Sequence, residues 1–148
     1  MIDASSLSTA LYSQLSTNAA IIAASCEVER STRVNFDPAR TPWLGVYPGD
    51  IDSVPRAMGG NQWVETAELQ VVVQTASYSS DGTAASDALE GVVKAVLDAV
   101  IANLTLGLAG VRVVSTSREY SYVMLDSDGS GDLFMPQAVI KFKLEVRS

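Results

Sequence analysis

One short segment contains residues whose types and spacing suit metal binding. Residues 126–132 read Asp-Ser-Asp-Gly-Ser-Gly-Asp, and calcium favours several hard oxygen ligands around a tight turn. Numbered as an EF-hand loop from Asp126, Asp128 takes position 3 and Asp132 takes position 7. Position 12 is Gln137, where a bidentate Glu is needed, and the flanking residues predict strands rather than helices. We interpret the segment as a polar hairpin turn, with calcium binding as the alternative.

The chain offers little else for catalysis. It has no histidine, so a Ser-His-Asp or Cys-His mechanism within the chain is excluded, and Cys26 is its one cysteine. No phosphate-binding glycine motif is present, and the sequence predicts no catalytic residue, cofactor or bound metal. An enzyme that uses carboxylates, with calcium at Asp126, Asp128 and Asp132, is a distant alternative. The remaining close pairs of carboxylates, whose spacing favours solvated surface charge, are Glu27 and Glu29, Asp50 and Asp52, and Glu65 and Glu68.

Composition limits the class of protein. The 148 residues are 47% apolar and 18% charged, which predicts one folded domain over 1–148. Ten Lys and Arg against seventeen Asp and Glu give a net charge of -7, which disfavours binding to nucleic acid through phosphates. The longest apolar stretch, residues 92–108, is interrupted by charged and polar residues, so we expect no membrane span. The first 25 residues lack Lys and Arg, so no signal peptide is expected, and the single cysteine suggests folding in a reducing compartment.

Two segments have helical patterns. Residues 5–24 place Leu7, Leu11, Leu15 and Ile22 near one face, although residues 16–18 leave two shorter helices as an alternative. Residues 87–104 carry eight apolar residues at helical spacing, which we expect to pack against a sheet or another helix. These eight are Leu89, Val92, Val93, Val96, Leu97, Val100, Ile101 and Leu104.

The rest of the chain alternates between extended segments and turns. The patterns predict strands at 43–47, 65–77, 111–116, 118–125 and 137–146, of which the third and fourth could form one bent strand. Prolines and glycines predict long loops at 49–62 and 126–136. The expected fold class is therefore α+β: a small antiparallel or mixed sheet with two main helices on one face, in the order α-β-β-α-β-β.

Residues that could contact a partner lie near or in the predicted loops. Arg40, Arg56 and Met58 are candidates around the first loop, and Asp126, Asp128 and Asp132 are candidates in the second. Aromatic residues such as Tyr120 and Tyr122, on one face of a strand, could anchor an interface, but ordinary strand packing explains them as well.

The layout resembles that of the tail terminator, or tail completion, proteins of long-tailed bacteriophages, including the minor tail protein U type. The resemblance covers nearly the whole chain. It consists of the alanine-rich first helix, the proline-flanked strand Thr-Pro-Trp-Leu-Gly-Val-Tyr-Pro at 41–48, the long loop, the amphipathic helix and the C-terminal hairpin. These are features of layout, and no family residue role transfers to a numbered position.

The resemblance implies a structural virion protein that is not an enzyme. Such proteins form a ring, expected to be a hexamer, that caps the head-proximal end of the tail tube and stops its polymerisation. The implied partners are further copies of the chain, the tail tube protein and the head connector or neck protein, with DNA passing through the lumen without specific binding. The implied location is the tail or neck of a virion assembled in the host cytoplasm. Another neck or tube component, either a head-tail joining protein or a tail tube subunit, is the alternative.

Overall fold

The computed structural model describes residues 3–30, 37–55, 63–77, 83–126 and 132–147. Its elements, in chain order, are three α-helices, a short 3-10 turn and five strands. The helices are α1 (Ala4–Ser16), α2 (Ala19–Ala23) and α3 (Thr83–Ala102), and the 3-10 turn is Pro38–Arg40. The strands are β1 (Glu27–Arg30), β2 (Trp43–Pro55), β3 (Trp63–Gln74), β4 (Val111–Asp126) and β5 (Asp132–Arg147).

The five strands form one mixed sheet in the order β1-β2-β3-β5-β4. β1 pairs with β2 in parallel, and the other three pairs are antiparallel. α3 connects β3 to β4 by passing over β5, which lies between them. Within the part of the chain that the structure describes, β4 thus has a neighbouring strand on one side only and forms an edge of the sheet.

The hydrophobic core lies between the helices and one face of the sheet. α1 contributes Leu7, Leu11 and Leu15, which are fully buried, in agreement with the predicted face of this helix. α3 contributes Leu89, Val92, Val93, Val96 and Val100. Alternate residues of the central strands complete the core, as a half-buried sheet requires. The predicted α+β fold with helices on one face is confirmed. In the part of the chain that the structure describes, no helix has the length and hydropathy needed to cross a membrane.

Asn18 decides which isoleucine of the second helix is buried. Its side chain accepts hydrogen bonds from the backbone N–H groups of Ala20 and Ile21, so a new helix begins there. The buried face of α2 is therefore not a continuation of the buried face of α1. The apolar pattern of residues 5–24 placed Ile22 on the buried face, and this was wrong: Ile21 is buried, whereas Ile22 is 59% exposed.

The predicted loop at 49–62 is shorter than expected, because β2 continues to Pro55. Its pairing with β3 shifts between Pro48 and Ile51, so the Pro-Gly pair makes an irregularity within a strand instead of ending it. Among the described residues, β1 pairs with β2 only as far as Val46, so Pro48 has no β1 partner within them, a position where proline is tolerated. A Cβ on Gly49 would lie 2.5 Å from the backbone oxygen of Glu68, so the close approach of β3 requires glycine here.

The predicted loop at 126–136 is also shorter. β4 runs to Asp126 and β5 begins at Asp132, and these two residues face each other in the ladder. Residues 132–136 are thus strand, because the hairpin extends beyond the end of β3, whose last partner in β5 is Gln137. The segments 111–116 and 118–125 are one strand, with a register shift between Val113 and Ser115 that accounts for its broken pattern.

One strand was not predicted. β1 has only four residues and lies within a segment whose sequence showed no clear period. Its pairing with β2 starts at Glu27 opposite Trp43, so it adds a strand beside β2 to the predicted sheet.

Candidate interaction surface

Arg40, the first predicted contact residue, is held within its own subunit. Its guanidinium binds Glu27, with Nη2 2.7 Å from Oε1, and it also contacts the carboxylate of Glu29. The hydrogen bond from Arg40 is the main cause that lowers the pKa of Glu27. All three side chains are substantially exposed, so water screens these pairs and they add little to stability. Their effect is to tie the Pro38–Arg40 turn to β1.

The other predicted contact residues are not brought together with Arg40. Asp126 and Asp132 end the β4–β5 hairpin, which belongs to the opposite edge of the sheet from β1. Arg56, Met58 and Asp128 lie outside the described residues. Among the residues that are described, no three His, Cys, Asp or Glu side chains cluster in a way that could hold a metal ion.

A larger feature, which the sequence did not predict, is a groove between α3 and β4. α3 packs on β5 and β3, so most of β4 is left without a helix above it. From Val114 to Tyr122 every residue of β4 is exposed. The register shift at Val114 marks the point where the strand leaves the core, since Val111 and Val113 before it are buried.

The first section of the α3–β4 groove is an apolar cavity near the end of α3. Its volume is about 340 Å³. The helix side is formed by Val100, Ile101 and Leu104, and the strand side by Val113 and Val114. Ile101 is 65% exposed and Leu104 is 37% exposed, although both belong to the apolar pattern that predicted burial. That expectation was wrong for these two residues. Ile101 lies in the last turn of α3, where the apolar face extends past the part of the sheet that it covers, and Leu104 lies in the turn after the helix ends at Ala102.

The second section of the groove is aromatic. A cavity of about 310 Å³ lies beside the start of α3 and is lined by Leu89, Tyr120, Tyr122 and Phe134, among others. The rings of Tyr122 and Phe134 are 5.6 Å apart and inclined at 40°, a favourable tilted arrangement. Desolvation is the largest cause that raises the pKa of Tyr120, and hydrogen bonding with Glu90 of α3 is the second largest. Tyr120 of β4 and Glu90 of α3 thus lie on facing walls of the same cavity.

Two arginines lie on β4 near the groove, among the uncharged polar residues Ser115, Thr116 and Ser121. Arg112 lines the first section, and Arg118 lies between the two sections on β4. Arg118 interacts with the hydroxyl of Tyr120. Neither arginine forms an ion pair with any carboxylate among the described residues.

The fold is similar to that of a virion chain. A chain in the solved structure of the virion of a native gene transfer agent particle matches with a TM-score of 0.61 and 18% identity, over 96% of this chain and 95% of that one. A second solved chain aligns over 93% of this chain and 92% of its own, at 22% identity with a TM-score of 0.47, and carries no argument. No protein-family model matches the chain, and no curated protein matches it.

Tyr120 and Tyr122 were the signal in the sequence that pointed to this surface. Their spacing of two residues placed them on the same face of a strand. That pattern was compatible with an interface and also with ordinary packing inside the subunit. Both side chains are at least half exposed in the structure. The α3 side of the groove had no such signal, because a regular apolar period does not reveal how much of it the sheet covers.

Proposed function

We propose that this protein is a structural component of a phage-like virion and, within it, the tail terminator. In this role copies of the chain form a ring, of about six subunits, that caps the head-proximal end of the tail tube. The ring stops tube polymerisation and provides the surface that joins the tail to the head. The partners are further copies, the tail tube protein and the head connector, in a virion assembled in the host cytoplasm.

The observation that carries this proposal is the likeness to a virion chain. That likeness extends over almost the full length of both chains, so it concerns the whole fold and not a common substructure. A gene transfer agent is a phage-like particle. At 18% identity the likeness establishes the fold, and the role is inferred from it together with the layout of helices, strands and loops.

The charge of the chain supports a position around the DNA path. A subunit with seventeen acidic and ten basic residues surrounds a passing duplex with like charge. Like charges repel, so DNA would slide through such a ring without binding to it. A ring whose lumen is lined mainly by Lys and Arg would contradict this part of the proposal.

We propose a non-enzymatic role for the same chain. The chain has no histidine to act as a general base. Burial, with the nearby charge of Glu27, raises the pKa of Cys26 to about 12, so its thiol is a poor nucleophile at neutral pH. The alternative, an enzyme that depends on calcium at Asp126, Asp128 and Asp132, predicts that a chelator or Asp128→Ala changes its activity or its melting temperature.

The test is deletion of the gene followed by electron microscopy of the particles. If the protein is a terminator, tubes grow beyond their normal length and remain separate from filled heads. If it is a tube subunit, no tubes form. If it is a head-tail joining protein, tubes of normal length accumulate without heads. Complementation with the wild-type gene is the control, and normal virions from the deletion strain would refute all three roles.

A further inference from the structure

We propose that the α3–β4 groove is the surface on which each copy of this chain binds the next copy. The inference deepens the proposed function, because it rests on the protein acting as a self-associating subunit. It names the surface that makes the contact: the apolar and aromatic residues of the groove together with the open edge of β4.

The exposed apolar residues are concentrated at this groove. Six large apolar or aromatic side chains of the described residues are exposed, and five of them line the two sections of the groove. Those five are Ile101, Leu104, Val114, Tyr120 and Tyr122. The sixth, Ile22, lies on α2. Apolar surface that is gathered in one place, and not scattered singly, marks an interaction site.

The edge of β4 points to the same surface. β4 has 16 residues and pairs only with β5, so the backbone groups on its outer side have no strand partner among the described residues. Long open edges promote pairing with other chains, and proteins usually shorten, bend or cover them. Here the edge beyond Val113, whose N–H group already binds the Leu104 carbonyl, runs along the apolar groove, so one partner could cover both.

The size of the surface suits a contact between protein subunits. The five side chains are between 37% and 65% exposed, which corresponds to roughly 500 Å² of surface. The backbone edge and polar side chains of β4 bring the total towards the ~800 Å² per partner of a standard interface. A small ligand would fill one of the two cavities and leave the strand edge open.

The two arginines near the groove favour an acidic partner, and a second copy of this chain, with its net charge of -7, is one. Arg112 and Arg118 have no carboxylate partner among the described residues of the subunit, whereas the chain as a whole carries an excess of seven acidic groups. Arginine and tyrosine are also among the residue types that most often dominate the binding energy of protein interfaces.

The direction of the groove fits contacts around a ring. The β2–β3 and β4–β5 hairpins close at opposite ends of the strands, because Pro55 and Trp63 lie at one end and Asp126 and Asp132 at the other. The groove runs along the side of the sheet between those ends. A subunit in a ring needs contacts with its neighbours at its sides, and contacts with the tube and the connector at its ends. A side contact between different surfaces closes into a ring where the rotation permits.

The experiment compares three single variants with the wild-type full-length chain. Ile101→Glu and Tyr122→Glu place a charge in the two sections of the groove, at side chains that are each 65% exposed. Ile22→Glu is the matched control, because it makes the same change at a side chain that is 59% exposed and outside the groove. Circular dichroism melting verifies that all three fold. Analytical ultracentrifugation over a concentration series then measures self-association.

We expect the wild type to associate, and each groove variant to weaken association by about ten-fold or more, as loss of a central apolar contact does. The Ile22→Glu variant should associate as the wild type does. The inference is refuted if the wild type stays monomeric at its highest attainable concentration, or if all three variants behave alike. A monomeric wild type whose groove variants no longer attach to tail tubes would identify the tube protein as the occupant instead.

The two proposals can fail separately. Self-association that depends on the groove, in a protein that is absent from purified virions, would refute the proposed function and leave this inference standing. If the protein is present in virions but the groove variants do not affect its self-association, this inference is refuted and the proposed function stands.

Discussion

Gly110 occupies a backbone conformation that only glycine adopts easily. Its φ is +76°, and an added Cβ would meet the backbone oxygen of Arg147. Its own carbonyl accepts a hydrogen bond of 2.9 Å from the Arg147 N–H, so the turn before β4 is joined to the end of β5. We expect Gly110→Ala to lower the free energy of unfolding by about 2 kcal/mol or more, from backbone strain and overlap together.

Gly91 provides the matched control for this substitution. It lies inside α3, is exposed, and has no atom within 4 Å of an added Cβ. Gly91→Ala should therefore raise the free energy of unfolding by about 0.5–1 kcal/mol through helix propensity. Urea unfolding of both variants measures the effects. If both substitutions raised, or both lowered, the free energy of unfolding, the difference described between the two glycines would be contradicted.

The thiol of Cys26 should react slowly in the folded protein. Burial raises its pKa to about 12, so very little thiolate exists at pH 8. We expect a disulfide reagent to label it far more slowly in buffer than in urea. The folded state binds this proton more tightly than the unfolded state, so its contribution to stability is present below pH ~8.5 and declines at higher pH. Equal labelling rates in buffer and urea would contradict this environment.

At the scale of elements, the orientation of α2 depends on one cap. Because Asn18 starts a new helix, Ile21 points into the core and its neighbour Ile22 points out. Ile21→Ala should lower the free energy of unfolding by about 2–5 kcal/mol, as expected for a fully buried side chain. Ile22→Ala should change it by less than about 0.5 kcal/mol. Thermal unfolding of the two variants is a direct test, and equal losses would mean that α2 is rotated.

The elements show how far sequence patterns reach in this fold. α1, α3 and β5 were predicted because each has a long and regular apolar period. β1 was missed because four residues hold too short a period, and because its position depends on pairing with β2 and on Arg40. β2 was cut short because Pro48 and Gly49 usually end a strand, whereas here they form a register shift within the pairing to β3 that only the structure reveals.

The candidate surface was less predictable than the fold, for a related reason. The periodicity of α3 identified a continuous apolar face but not the width of its partner. Ile101 is exposed because the sheet below it passes from β5 to a β4 strand that α3 does not cover, and Leu104 is exposed because the helix ends before it, at Ala102. The predicted contact residues were chosen from loops, whereas the groove is built from a helix and an edge strand.

At the scale of the whole molecule, charge opposes the association that the groove favours. Each subunit carries a net charge of -7. For two such subunits about 40 Å apart, the repulsion in water without salt is about 5 kcal/mol. A Debye length of about 10 Å at 0.1 M salt reduces it to less than about 1 kcal/mol. The ion pairs that Arg112 and Arg118 could form at an exposed rim contribute only about 0–1 kcal/mol each, so the repulsion outweighs them at low salt.

Self-association should therefore strengthen as salt is added, and then change little once the repulsion is screened, because the apolar contacts of the groove do not depend on salt in this range. Sedimentation or light scattering of the wild type at low, moderate and high sodium chloride measures this. Ile22→Glu should follow the same curve, displaced slightly by its extra negative charge. Ile101→Glu should remain weak at every salt concentration, because screening restores none of the lost apolar contact. Association that weakens steadily with salt would mean that ion pairs at the rim, and not the apolar groove, hold the subunits together.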